Sequence, residues 1–182
     1  MSADRREALL AALGAYRAEE PRDETAISSF RSFLQRADPF RRSDPEGHVT
    51  ASAIVARSSG DAFLLVFHRK LGRWLQPGGH VEPDDASVFH AAVREAREET
   101  GLDGFAAPLG DAILDLDVHS IPPFGSETAH VHYDVRFLLT VGSDGVPGPR
   151  AAWFPLAAVA PADRDGSLAR VIHKALAGLT LR

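Results

Sequence analysis

The segment from Gly78 to Leu102 constrains this chain more than any other. It joins a glycine-rich loop at Gly78-Gly79, followed by an acidic Pro-Asp-Asp turn, to a helical stretch in which Glu95, Glu98 and Glu99 stand three and four residues apart. On a helix that spacing crowds the three carboxylates onto one face, where each like-charge pair costs roughly 0.2–0.5 kcal/mol. A cation would offset that repulsion. A hard divalent ion such as Mg²⁺ or Mn²⁺ fits best, because it prefers oxygen ligands and shares its coordination sphere with waters and substrate phosphates. The plainer reading is a solvated helix face, with Arg94 paired to Glu98 one turn on. The glycines weigh against it. Gly78 and Gly79 let the backbone approach a ligand or turn a carbonyl toward a metal, and Gly101 stands where a left-handed C-terminal cap belongs.

Around this segment the hydrophobic pattern changes period. Leu9, Leu10, Leu13 and Tyr16, and after Pro21 the set Ile27, Phe30, Phe33 and Leu34, recur at helical spacing. These residues predict two helices within an N-terminal extension over 1–40. Packing on the rest of the chain is the expected role, with a homodimer contact or a substrate lid as alternatives. Residues 41–47, with Pro45 and Gly47, read as a linker. From Thr50 onward the runs are strand-like. Ala51 to Ala56 and Ala62 to His68 flank a Ser-Ser-Gly-Asp turn and predict a hairpin, and further strands are expected at Ala112 to Val118, Val131 to Val141 and Ala151 to Phe154. Asp85 or Ser87 is placed to cap the central helix. A last helix presents Leu168, Val171, Ile172, Leu176 and Leu179 on one face. This order predicts an α/β chain with a mixed sheet sandwiched between helices.

With Arg94, Glu95, Ala96, Glu98, Glu99, Gly101 and Leu102 in place, the stretch from Gly79 to Leu102 resembles the Nudix box. Its pattern is Gly, five residues, Glu, seven residues, Arg-Glu, an apolar residue, any residue, Glu-Glu, any residue, Gly and an apolar residue. The C-terminal half of the pattern is complete. In the N-terminal half Asp85 stands where the first Glu belongs, and eight residues rather than seven separate it from Arg94. That departure leaves Asp85, Asp84 and Glu82 open as the acid that braces the loop. The resemblance implies the Nudix-like α/β/α sandwich, with residues 48–182 as the hydrolase domain. It also implies that Glu95, Glu98 and Glu99, helped by a carbonyl of the Gly78-Gly79 pair, hold Mg²⁺ or Mn²⁺. Glu98, Glu99 and Arg94 are then the expected catalytic residues, with Arg94 orienting carboxylates.

A second polar constellation lies on the run from His130 to Phe137. Strand alternation puts His130, His132, Asp134 and Arg136 on one face, and Val131, Tyr133, Val135 and Phe137 on the other. The polar face is expected to contact substrate or move protons. Zinc is the lesser reading of its His-X-His pair, since no further ligand is fixed by local spacing. His80 is placed to approach phosphate. Trp74, Phe124 and Tyr133 are candidates to stack on a base, with buried packing the stronger reading for Tyr133. Glu127, His132 and Asp134 are candidate general bases outside the box.

Composition narrows the classes. The net charge of −5 and the lack of a basic tract point away from long nucleic acid and toward a small anionic nucleotide. The absence of cysteine excludes a disulfide framework, zinc thiolates and a thiol nucleophile, and weighs against an isopentenyl diphosphate isomerase relative. No stretch approaches the ~18–20 apolar residues of a membrane span, so a cytoplasmic location and no membrane partner are expected. Lysine supplies only Lys70 and Lys174 of the twenty cationic side chains, a bias expected of a GC-rich bacterial genome. Within these bounds the Nudix resemblance implies a metal-dependent hydrolase, expected to cleave the diphosphate linkage of a nucleoside diphosphate sugar or dinucleotide. The alternatives are a nucleoside triphosphate pyrophosphohydrolase and a non-catalytic nucleotide sensor.

Overall fold

The computed structural model describes residues 2–123, 125, 128–142, 145–162 and 166–180. Two helices open the chain, α1 (Ser2–Ala15) and α2 (Pro21–Phe33), the second begun by the proline whose missing N–H costs nothing in a first turn. Strands β1 (Gly47–Arg57) and β2 (Ala62–His68) form the expected hairpin, with Val55 opposite Leu64. Two three-residue strands follow, β3 (Arg73–Leu75) and β4 (Gly78–His80), and then the central helix α3 (Val88–Thr100). The remaining elements are β5 (Asp115–Ile121), β6 (His130–Val141), β7 (Ala151–Pro155), α4 (Leu156–Ala162) and α5 (Ser167–Thr180).

The strands make one seven-stranded sheet in the order β3-β2-β1-β6-β5, with β4 also paired to β1 and β7 to β2. It is mixed, because β1 and β6 run parallel over eleven residue pairs while the other pairings are antiparallel. Alternation along β1 explains the layers. Val49, Ala51, Ala53 and Val55 belong to one apolar cluster with Leu13, Phe30 and Phe33 of the N-terminal helices and Ala92 and Ala96 of α3. Ile54 and Ala56 point the other way, into a second cluster with Val171, Ile172 and Ala175 of α5. The result is a helix, sheet, helix sandwich.

Three expectations need correction, and one helix was not expected. The glycine pair is not a loop: Gly78 and Gly79 are strand residues in β4, opposite Ser52 and Ala51. The strand expected from Ala112 begins at Asp115 and runs to Ile121. Its apolar lead, Ile113 and Leu114, is buried ahead of the ladder, while the polar residues that follow pair with β6. Strand β1 begins at Gly47, inside the residues read as a linker, because the parallel partner β6 extends that far. Helix α4, with only seven residues, was too short to give a periodic signal.

Candidate active site

Helix α3 is held at both ends by caps legible in the chain. Ser87 Oγ accepts a hydrogen bond from the His90 amide, and Gly101 takes the left-handed conformation with φ 70°. Its N-terminal half is bound to the preceding turn through Arg94. The guanidinium donates from Nε to Asp85 Oδ1 at 3.0 Å and from Nη2 to Asp85 Oδ2 at 2.9 Å, and Nη2 also reaches the His80 carbonyl at 2.9 Å. Nη1 donates to Glu95 at 2.8 Å and Glu98 at 3.3 Å. Of the three acids left open by the sequence, Asp85 is therefore the one paired with Arg94. It also accepts from the Glu82 amide at 2.8 Å, closing its own turn.

The three carboxylates differ in what surrounds them. Glu98 is exposed, with 60% of its side chain accessible. Burial pushes the Glu95 carboxyl above its ordinary value, with the bond and charge of Arg94 offsetting part of that rise. Burial also raises Glu99, against the single amide hydrogen bond it accepts from Gly78 at 3.0 Å. The paired glycines are required by proximity. A Cβ on Gly79 would lie 2.5–2.7 Å from the Glu95 carboxylate, and one on Gly78 would lie 2.3 Å from Ser52 Oγ. At Gly78 the obstruction is backbone, with the Ala51 carbonyl oxygen at 2.8 Å and Ser52 Cα at 2.9 Å, so no side chain fits there; at Gly79 a Cβ would displace the end of the Glu95 side chain.

Beyond Glu99 and Gly79 opens a cavity of about 820 Å³. Its polar floor is built by register. His48 of β1 lies opposite His132 of β6, which lies opposite His119 of β5, so three imidazoles form one row across three strands. Two residues on, His80, Thr50, Asp134 and Asp117 form the next row, and Gly78, Ser52, Arg136 and Asp115 the one after. Burial pushes the His48 imidazole down to about 4, helped by His80 and His130, and depresses His132 far more, with His48 and His119 adding to the effect. Both rings are neutral at ordinary pH.

The rows nearer α5 are a charge network. Asp134 accepts from the Thr50 and Ser52 hydroxyls and from Arg136 Nε, at 2.9–3.0 Å. Arg136 continues to Asp115, Asp117 and Ser167, and Arg170 bridges Asp115 and Asp117. Burial alone would raise the Asp117 carboxyl. The His119 bond and the charges of Arg136 and Arg170 outweigh that and hold it well below the usual range.

The residues expected at the site therefore divide. Glu99, Gly79, His80, Trp74, His130 and His132 line the cavity. Asp134 and Arg136 also border it, yet both are 3% exposed and spend their polar atoms on neighbouring protein groups. Tyr133 stacks on Phe33 with ring centroids 3.9 Å apart, beneath α2, in the packing role expected for it. Trp74 meets Phe67 edge-on and Phe154 at a tilt, and also lines the cavity. Phe124 and Glu127 lie outside the described residues. His48, His119, Asp117 and Arg170 were missed by the sequence reading. Only the pairing of distant strands brings the first three to the cavity, and no local motif marks them.

The NUDIX domain family matches residues 46–175, the span from the start of β1 into α5. The chain belongs to the NUDIX family. A search of curated proteins finds no match. Among solved structures, the Ap4A hydrolase of C. elegans is 18% identical with a TM-score of 0.51, covering 72% of this chain and 97% of its own. The dihydroneopterin triphosphate pyrophosphohydrolase of E. coli is 16% identical with a TM-score of 0.52, covering 74% and 96%. At these identities the likeness shows a shared fold. Family membership supports the enzyme reading, a pyrophosphatase, and NUDIX enzymes generally use divalent metals. No helix among the described residues is long and apolar enough to cross a membrane.

Proposed function

We propose that this protein is a Mg²⁺- or Mn²⁺-dependent hydrolase that cleaves the diphosphate linkage of a nucleoside diphosphate derivative, of the sugar or dinucleotide type. The observation that carries the reading is the position of the box. Glu99, half-buried and with raised proton affinity, lines a cavity of about 820 Å³ beside Gly78 and Gly79, while the half-buried Glu95 and the exposed Glu98 share its helix α3.

The donor set fits a hard divalent cation. Burial without full pairing is costly for carboxylates, and an all-oxygen cluster selects Mg²⁺ or Mn²⁺ over softer ions. Glu95, Glu98, Glu99 and the Gly79 carbonyl are the residues assigned to hold it. When bound, such an ion neutralises phosphate charge and makes a water acidic enough to attack phosphorus. The chain's own residues supply positioning. Arg94, fixed by Asp85 and the His80 carbonyl, holds Glu95 and Glu98 in place. The Gly78 amide orients Glu99. Water adds to one phosphorus, its P–O bond to the bridging oxygen breaks, and a nucleoside monophosphate and a phosphorylated partner leave. Asp134 is unsuited to take the water's proton, because its oxygens are already accepting from Thr50, Ser52 and Arg136. A box carboxylate is assigned that part.

The substrate class follows from the cavity. At about 820 Å³ it lies near the upper end of the ~300–1,000 Å³ usual for small-molecule sites, which leaves room for a moiety on each side of a diphosphate. Trp74 offers a ring, and His80, His119 and Arg170 offer polar contacts to phosphate or sugar. Residues 48–182 are assigned as the catalytic unit, with 1–40 as an extension packed on it. The two fold relatives act on a dinucleotide and on a triphosphate by name, so activity must decide. Nucleotide sugars, dinucleotides and nucleoside triphosphates should be compared by kcat/KM with Mg²⁺, products being resolved chromatographically. A sugar or dinucleotide is expected to lead. A nucleoside triphosphate turned over well above all of them would replace this reading with the pyrophosphohydrolase alternative.

A further inference from the structure

We propose that His48, His130 and His132 form a site for one divalent transition-metal ion of the zinc class, separate from the carboxylate site on α3. One ring nitrogen from each lies within 4.8 Å of the others, and the Nε2 atoms of His130 and His132 are 3.1 Å apart. Two imidazole nitrogens on a tetrahedral ion, each ~2.0–2.1 Å from it, stand ~3.4 Å apart. The His130 and His132 pair is already close to that separation, and the third nitrogen has to close by no more than about 1.4 Å.

His48 supplies an independent sign. It is 1% exposed, borders the cavity, and neither of its ring nitrogens has a hydrogen-bond partner. A buried polar group left unpaired is destabilising, and a metal bond would remove that cost. His130 is prepared in a different way. Its Nδ1 lies 2.9 Å from the Thr128 carbonyl, which can only accept, so Nδ1 carries the proton and Nε2 presents its lone pair toward His132. Outer hydrogen bonds of this kind are what orient metal-ligating histidines.

The two sites differ in chemistry. The box offers carboxylates and a carbonyl, suited to a hard ion. The histidine site offers three neutral imidazoles, which favour zinc, cobalt, nickel or copper over magnesium. Three protein ligands leave at least one coordination position for water, as catalytic zinc sites do. All three histidines border the same cavity as Glu99, so a substrate phosphate reaching across it would meet both metals. The His-X-His pair on β6 thus gains the third ligand that its own strand does not hold. The parallel register of β1 with β6 brings His48 opposite His132.

The test reads metal binding rather than turnover. Full-length protein, stripped with a chelator, is titrated with Zn²⁺ by calorimetry in excess Mg²⁺, and separately with Co²⁺, whose visible absorption reports low-coordinate nitrogen ligation. Wild type and Glu99→Gln are both expected to take up one equivalent of Zn²⁺. His130→Ala and His48→Gln should each weaken it by roughly 100-fold or more, with loss of the cobalt bands and no change in far-ultraviolet circular dichroism. His130 is half-buried at the strand end, so its variant keeps the test valid should His48→Gln fail to fold. Zinc uptake unchanged in His130→Ala, or abolished in Glu99→Gln, or absent from wild type, overturns the proposal. The hydrolase reading is judged separately, by activity with Mg²⁺.

Discussion

Lys174 of α5 is one of the residues that tie the N-terminal helices to the sheet, beside Arg22 and the apolar cluster, and replacing it by methionine should reveal how much that connection contributes. Its ammonium donates to Asp23 of α2 and Asp115 of β5, both at 2.9 Å, and to Tyr16 at 2.8 Å. Both carboxylates are fully buried. Removing one partner of a buried ion pair costs about 3–5 kcal/mol, because a charge is left uncompensated. The structure argues for the low end. Asp115 would keep Arg136 and Arg170, and Asp23 would keep the Glu19 amide and a longer pair to Arg22 at 3.6 Å. A loss of about 3 kcal/mol in a chain of this size corresponds to a Tm lower by about 6–12 °C. The pH dependence adds a second check. Burial would raise the Asp23 carboxyl, but the Glu19 amide and Lys174 hold it below its ordinary value in the folded protein. Its contribution is therefore present above an unfolded pKa of about 3.9 and is lost as pH falls through the folded value. In Lys174→Met that advantage shrinks, so the gap between variant and wild type should narrow as pH falls below about 3.9. Urea denaturation at about pH 7 and about pH 3 measures both. A loss under about 1 kcal/mol at pH 7, or a gap that widens in acid, would refute the reasoning.

Two further outcomes are expected. Gly78→Ala places a Cβ 2.8 Å from the Ala51 carbonyl oxygen and 2.9 Å from Ser52 Cα, so it should destabilise the fold by about 1–3 kcal/mol and lower turnover, measured by thermal melts and initial rates with Mg²⁺. Glu95 and Glu99 have folded pKa values raised by burial. Their contribution to stability is full below the unfolded carboxylate pKa and declines as pH rises through the folded values. Metal-free protein should therefore lose stability above about pH 4.5, less steeply in Glu99→Gln, with added Mg²⁺ restoring it, as melts over a pH series would show.

How much of this could be read from the chain depended on sequence distance. Helix α3, its Ser87 and Gly101 caps and the carboxylate face rest on spacings of three and four residues. Alternation alone correctly divided β6, setting Tyr133 and Val135 against the apolar cluster on one face and aligning His130 to Arg136 on the other. What was missed depends on pairing across the fold. His48 is separated from His132 by 84 residues and meets it only through parallel register, and the Lys174 contact to Asp23 spans 151. The glycine pair was misread as a loop because glycine carries little strand propensity of its own. Its close pairing with β1 leaves no space for a larger residue at Gly78, beside the backbone of Ala51 and Ser52. Asp134 and Arg136 were expected to face substrate, and alternation did set the face, but it could not show that Thr50, Ser52, Asp115 and Asp117 would satisfy them first.

The most direct test of the central claim is turnover by Glu98→Gln and Glu99→Gln on the best substrate identified, at saturating Mg²⁺, with circular dichroism to verify the fold. Removing one charge from a repelling cluster should not harm the metal-free protein, while the loss of a ligand weakens the ion that organises the reaction. Each variant is expected to stay folded and to lose turnover by orders of magnitude. Wild-type turnover in either would contradict the role assigned to that carboxylate, and wild-type turnover in both would remove the box from the chemistry.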